Sequence, residues 1–496
     1  MERSLKSGQT VTQQSPTKVL LFLLLIGFLL RLALLHTPRS FQADETFQYL
    51  EQAHRLVFGY GVVPWEYRYG IRSWLVPFAL SGPMKLGSVL LPGTAAYLLL
   101  PRICLCILSL GSILAAYALG LRLSRAHALA AATVAALWPD FLLFSGQALT
   151  DSIAVPFALG AAVLLRSSAR WKLVAAGALL ALACAIRVQY LPALAAMLLV
   201  SLAFRWRDWL WTGLGILAAT ALSTVPDILL ADAPFVWVSK NIHMNLVAHH
   251  AVAYGSEGPL FYLVQFFATW VIWTIPLFWL AWIGSRRFPE LRAMIVVLIA
   301  MHSFIAHKEF RYIHLAMITI LLLAAIGTVE WLQQQEHLRY TRWVIACWLL
   351  AAFTSVAMPT QTEDWGRAVA GNEAFAAISH DPRTCGVAMF KQWWTNAGGY
   401  TYLHRDVPLY PTDRTDNPAQ SLWQHQDAFN VILTTQHPDA PLPPAYHRTQ
   451  CFAHALYNDD DACIWQREGS CRRTGAETLE INHLVGEPDK PKTAPE

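Results

Sequence analysis

Apolar runs separated by short polar connections fill the chain from residue 18 to residue 357. Eleven of them are read as helices that cross a hydrocarbon layer: 18–35, 98–121, 127–143, 150–166, 172–186, 188–204, 209–231, 260–283, 291–305, 312–334 and 342–357. A crossing takes about 20 residues, so the shorter runs need tilting, kinking or burial within the bundle. The runs 172–186 and 188–204 meet at Arg187 and suit half-length helices bent around a cavity. Residues 74–91 are apolar but interrupted by Pro77, Gly82, Pro83, Lys85 and Gly87. That stretch is expected to re-enter or to lie in the interface rather than to cross. From residue 358 the long apolar runs stop, Pro, Asp, Thr and Gln take over, and strand-like pieces stand at 385–390 and 429–433. The pattern predicts a transmembrane part over 18–357 with a large first outer loop, 36–97. A small α/β extramembrane domain is expected over 358–484.

Composition agrees with this division. Hydrophobic residues make up 55% of the 496 and charged residues 14%, against roughly a quarter charged in soluble proteins. The expected fold class is therefore an all-α polytopic membrane protein. A net charge of +4, with the basic residues dispersed among loops, excludes a nucleic-acid partner. Residues 1–17 are polar and basic, and no small-residue cleavage site follows the first apolar run, so that run is read as a retained helix and not a signal peptide. With eleven crossings, Arg122/Arg125, Arg166/Arg170/Lys172, Arg205/Arg207, Arg286/Arg287/Arg292 and Arg339/Arg342 all share the side of the N-terminus, as the positive-inside rule requires. Residues 36–97, 232–259, 306–311 and the tail then face the non-cytoplasmic side. Of eight cysteines, Cys104, Cys106, Cys184 and Cys347 lie in spans, and Cys385, Cys451, Cys463 and Cys471 lie in the tail. The tail set suits two disulfides, with three pairings open, against free buried thiols as the alternative. Zinc is disfavoured because the spacings are not CxxC, and Asp459-Asp460-Asp461 reads as a solvated acidic run rather than a metal site. Residues 485–496 are expected to be disordered.

Two charged clusters on the non-cytoplasmic side stand out against this background: Asp44-Glu45 and His307-Lys308-Glu309-Phe310-Arg311. Ionisable groups at a membrane boundary cost free energy unless they are paired, which makes them markers of function. On a helical projection Asp44, Gln48, Glu51 and Arg55 share one sector and Leu50, Ala53, Val57, Tyr49 and Leu56 the other, so an amphipathic helix lying in the membrane surface is expected. Snorkelling would explain isolated Lys and Arg near the headgroups. It does not explain a compact His-Lys-Glu-x-Arg on the side that the positive-inside rule depletes. Such clusters suit sugar transfer from a lipid phosphate. A carboxylate takes the proton of an acceptor hydroxyl, cations receive the phosphate, the anomeric centre inverts, and neither cofactor nor metal is needed.

Several ordered blocks resemble the membrane mannosyltransferases of glycosyltransferase family 22, of the GT-C fold. They are Asp44-Glu45-Thr46-Phe47-Gln48-Tyr49-Leu50-Glu51-Gln52-Ala53-His54, then Gly59-Tyr60-Gly61 and Trp65-Glu66, then Gly70-Ile71-Arg72-Ser73 ahead of Pro77. Tyr254-Gly255-Ser256-Glu257-Gly258-Pro259 and His307-Lys308-Glu309-Phe310-Arg311-Tyr312 complete the set. The resemblance implies a GT-C bundle and a polyprenyl- or dolichyl-phosphate mannose donor used as co-substrate. It also implies a glycan or glycolipid acceptor, and a site facing the periplasm of a bacterial inner membrane or the lumen of the endoplasmic reticulum. It implies Asp44 as general base with Glu45 beside it, and His307, Lys308 and Arg72 on the donor phosphate. Arg311 either joins those cations or pairs with Glu309 to hold the loop, and Trp65, Glu66, Tyr254 and Glu309 would contact substrate. The segments Gly146–Ser152 and Ala185–Gln189 depart from the family pattern, as does Phe261 ahead of Tyr262. The alternatives are a transporter or flippase of lipid-linked saccharides, which would show a repeat relating two halves, and a GT-C protein O-mannosyltransferase or aminoarabinose-type lipid modifier. In the tail, Trp393 and Trp394 beside Asn396 suit either sugar stacking or packing.

Overall fold

The computed structural model describes residues 16–231, 233–248, 250–334, 337–359, 365–453 and 461–485. Nearly all of the N-terminal segment 1–17 and of the tail 485–496, together with Asp459 and Asp460, lie outside the described residues. Every apolar run singled out in the sequence forms a helix or a pair of helices. Six helical stretches are long and apolar enough to cross a membrane: Thr17–Leu34, Ala96–Leu121, Trp206–Leu230, Phe261–Ser285, Phe310–Gln333 and His337–Ala357.

Hydropathy did not show where these helices break. The run 127–143 divides at Trp138, whose backbone is extended (φ −70°, ψ 137°) because it precedes Pro139; the ring of a proline pushes the preceding residue out of the α region. Arg187 (φ −136°, ψ 88°) ends the Arg170–Ile186 helix and a single 3₁₀ turn leads into Leu191–Leu202, so these are two half-length helices. The stretch 74–91 forms one helix, Leu75–Leu90. His314–Gln333 is buried on nearly every face, as expected of a helix that is apolar all round and central to its bundle. Where Arg170–Ile186 packs on Trp206–Ser223, Gly177 faces the backbone of Thr212 and Gly215 that of Val174. Any side chain at either position would force the two helices apart.

The C-terminal layer carries a five-stranded sheet in the order β2-β1-β3-β5-β4: β1 Val387–Met389, β2 Leu409–Pro411, β3 Val431–Thr434, β4 His447–Ala453 and β5 Asp461–Gln466. β1 is parallel to β2 and β3, whereas β5 is antiparallel to β3 and β4. Disulfides join Cys385 to Cys471 and Cys451 to Cys463, the second across paired residues of β4 and β5.

This layer overturns one expectation. The helix after Asp44 is a π-helical turn, Glu45–Leu50, running into an α-helix, Glu51–Phe58, and residues 45–54 are all buried. It does not lie in the membrane surface, because the C-terminal layer covers its polar sector. Glu51 accepts hydrogen bonds from the Val62, Tyr400 and Thr401 backbone N–H groups (2.8, 3.1 and 2.7 Å) and from the Thr401 hydroxyl (2.6 Å). His54 Nε2 lies 3.0 Å from His404 Nδ1, and the His404 ring stacks on Tyr97 at 3.9 Å.

Candidate active site

A cleft of about 490 Å³ opens between the helical part and the C-terminal layer. Asp44, at the head of the π-turn, faces it with its side chain 27% exposed. π-turns recur at functional sites because the extra residue per turn re-aims side chains. The Gln48 amide, four residues on, donates both its hydrogens: one to Asp44 Oδ1 and one to Glu66 Oε1, each at 2.8 Å. Asp44 Oδ2 accepts from Arg311 Nη2 at 2.7 Å. Arg311 also meets Glu309 at 2.6 Å and Asp151 at 3.5 Å, and Asp151 pairs with Arg187 at 2.9 Å. Loss of hydration raises Glu66 to about 7, with the Asp44 charge adding to the rise and Arg72 opposing it. Burial would also raise Glu309, but the Arg311 guanidinium and hydrogen bonds from His307, Arg311 and Tyr312 outweigh it and hold it well below the usual range. For His307, hydrogen bonds to Glu309 and the Gly255 carbonyl overcome the effect of burial and raise it.

The segment carrying these cations is stitched to residues 254–257. His307 Nδ1 lies 3.0 Å from the Gly255 carbonyl, Lys308 Nζ donates to the Glu257 carbonyl at 2.6 Å, and Trp65 Nε1 donates to the Tyr254 hydroxyl at 3.1 Å. Among the described residues neither Lys308 nor Arg72 forms an ion pair, and Arg72 Nε is buried without a hydrogen-bond partner. Arg72 also lines a narrow polar neck with Tyr49, Thr150 and Arg187. Ser73, Ala185, Val188 and Trp237 are common to that neck and to an apolar groove of about 350 Å³ between Arg170–Ile186, Leu191–Leu202 and Trp206–Ser223. Groove, neck and cleft thus adjoin in sequence, passing from hydrocarbon-like to cationic to mixed-charge surroundings.

Nine of the ten candidate residues from the sequence line this cleft: Asp44, Trp65, Glu66, Arg72, Tyr254, His307, Lys308, Glu309 and Arg311. Glu45 does not. It is wholly buried, pairs with Arg102 at 3.1 Å and accepts from the Phe41 N–H at 3.0 Å, so it braces the loop and faces away from any substrate. Arg311 is encircled by three carboxylates, which makes it the holder of Asp44 more than a free phosphate donor. Sequence reading missed Gln48 as the bridge between two carboxylates, and Asp151 and Arg187 as the floor of the network. Asp151 and Arg187 fall in the two segments that depart from the family pattern. Their signal was an intramembrane aspartate and arginine at the ends of apolar runs.

The fold and site can now be set beside known proteins. ArnT from Cupriavidus metallidurans, solved bound to undecaprenyl phosphate, superposes with a TM-score of 0.59 at 13% identity, covering 90% of this chain and 97% of ArnT. The archaeal oligosaccharyltransferase AglB from Archaeoglobus fulgidus, in complex with an inhibitory peptide and a dolichol-phosphate, gives 0.50 at 14% identity, covering 85% and 69%. Taken with the charged cleft, this fold defines the class: a membrane glycosyltransferase of the GT-C type. The Alg9-like mannosyltransferase family profile matches residues 20–404, and the chain belongs to that family. GPI mannosyltransferase 3 of Yarrowia lipolytica is 26% identical over 386 residues, 76% of this chain and 73% of the relative. The Drosophila melanogaster protein of the same name is 38% identical over 92 residues, 18% and 16% of the two chains. The chain is therefore a mannosyltransferase enzyme, which removes the transporter alternative.

Proposed function

We propose that the enzyme moves a mannosyl residue from a polyprenyl- or dolichyl-phosphate donor to a hydroxyl of a glycan or glycolipid, with inversion, on the non-cytoplasmic face of its membrane. The observation that carries this reading is the run of groove, neck and cleft. An apolar groove suits an isoprenoid chain, the neck bearing Arg72 and Arg187 suits its phosphate, and the cleft bearing Asp44 suits the sugar. That ArnT and AglB were solved with lipid phosphates supports a lipid-linked donor here.

In the proposed step the acceptor oxygen attacks the anomeric carbon, the bond from that carbon to the phosphate oxygen breaks, and the hydroxyl proton passes to Asp44 and then to solvent. The donor phosphodiester carries one negative charge and the departing phosphomonoester gains a second. Cations at Arg72, Lys308 and His307 therefore hold the leaving group more tightly than the donor, which is what lowers a barrier. Arg311 and Gln48 fix the orientation of the base. The scheme requires no metal or cofactor. Its topology has eleven crossings over residues 18–357 and a non-cytoplasmic domain over 358–484, in a bacterial inner membrane or the endoplasmic reticulum.

The test is to incubate membranes carrying the protein with labelled β-linked polyprenyl-phosphate mannose and identify the labelled product. An α-mannosylated glycan or glycolipid is expected. A β-linked product, or label transferred only from a nucleotide sugar, would overturn the proposal.

A further inference from the structure

The wall of the cleft that faces the charged network comes from the C-terminal layer, through Trp393, Trp394, Thr395 and Arg414. The two tryptophans are not equivalent. Trp394 is half-buried and its ring packs on Phe47 at 4.6 Å, three residues from Asp44, so it ties the layer to the π-turn. Trp393 points elsewhere and is 44% exposed on the cleft wall, with the Arg414 guanidinium 5.9 Å from its ring centre. A large indole exposed inside a cleft otherwise lined by carboxylates, cations and amides is poorly served by water. The flat apolar faces of pyranose rings, with hydroxyls turned towards neighbouring polar groups, match such a surface. The guanidinium beside it restrains the indole and so reduces the ordering cost of binding.

Geometry then decides which sugar. In an inverting displacement the acceptor approaches the anomeric carbon on the side opposite the leaving phosphate. The neck at Arg72 fixes the phosphate end, which leaves the wall across the cleft for the acceptor. We infer that Trp393 is the platform on which the acceptor glycan's pyranose ring stacks, so that the C-terminal layer supplies acceptor specificity and the helical part supplies the donor site. This inference rests on the transfer reading above, and its test separates the two.

The protein in lipid nanodiscs, loaded with undecaprenyl phosphate, is titrated with methyl α-D-mannopyranoside by saturation-transfer NMR; undecaprenyl phosphate binding is measured separately. Trp393→Ala is expected to weaken the glycoside at least tenfold and Trp393→Phe two- to threefold, with undecaprenyl phosphate binding unchanged in both. Equal glycoside affinity in Trp393→Ala and wild type overturns the inference, as does absence of glycoside binding to the wild type. Loss of both ligands in Trp393→Ala also overturns it, because Trp393 would then be structural. Wild-type protein that binds the glycoside through Trp393 but not undecaprenyl phosphate upholds this inference and rejects the donor reading.

Discussion

A carboxylate can act as a base only if it stays in position and keeps a lone pair for the incoming proton. Asp44 has about four lone-pair sites and spends two of them, on Arg311 and Gln48, which fixes its orientation and leaves the cleft side for substrate. Glu66, on the other arm of Gln48, is the group whose charge changes near neutrality, at about 7. Its folded-state value lies above its ordinary 4.5, so the folded protein holds the proton more tightly and the contribution of Glu66 to stability declines as pH rises between those two values. The same ionisation adds a negative charge to a cleft that must receive a phosphate. Donor KM is therefore expected to rise as pH passes about 7 in the wild type and to stay flat in Glu66→Gln; parallel pH profiles of the two would show that Glu66 does not titrate there. Sequence reading placed Asp44 and Glu45 together as a pair, and here adjacency misled. Consecutive residues on a helix point roughly 100° apart, so one carboxylate meets the cleft and the other meets Arg102. Trp393 and Trp394 divide in the same way.

The element that decides whether the cleft exists is the 45–58 helix pinned beneath Gly399–Leu403. Gly399 adopts φ +57°, and a Cβ there would come within 2.8 Å of Phe47 Cε1 and 3.1 Å of Glu51 Oε2. Gly399→Ala should cost about 1–3 kcal/mol from backbone conformation and crowding. Limited proteolysis would detect it as earlier release of the C-terminal layer; unchanged resistance would show that the contact is soft. His54, in the same interface, is lowered to about 3 by burial, with the neighbouring His404 adding to the fall and the Tyr60 carbonyl opposing it. A histidine whose folded value lies below its ordinary 6.5 contributes stability that is present above 6.5 and lost as pH falls towards the folded value. Docking should therefore weaken on acidification below about 6.5, by up to about 1.4 kcal/mol per pH unit for this one group. His54→Asn should flatten that slope in thermal melts, and an unchanged slope would place the proton elsewhere. None of this was legible in the sequence, because Glu51 meets Thr401 and His54 meets His404 across some 350 residues. The polar sector of the helix was visible, but not the layer that covers it.

At the scale of the whole molecule, hydropathy marked out the helical runs and the change in composition at residue 358 marked the sheet-bearing layer. Both signals are local, and local signals survive without knowledge of neighbours. The convergence of Asp44, Trp65-Glu66, Arg72, Tyr254 and His307–Arg311 on one cleft was foreshadowed by their ordered blocks and by their common side in the positive-inside reading. The groove and neck were not, since they arise from packing between half-length helices. The arrangement assigns one task to each part: groove for lipid, neck for phosphate, charged wall for chemistry, aromatic wall for acceptor. The most direct test is mannosyl transfer from polyprenyl-phosphate mannose by purified wild-type protein and by Asp44→Asn, with undecaprenyl phosphate binding as the control for folding. Turnover is expected to fall about 10²- to 10⁴-fold with lipid-phosphate binding retained, because Arg311 keeps Glu309 and Asp151 as partners. Turnover within about twofold of wild type would contradict the assignment of Asp44 as the base.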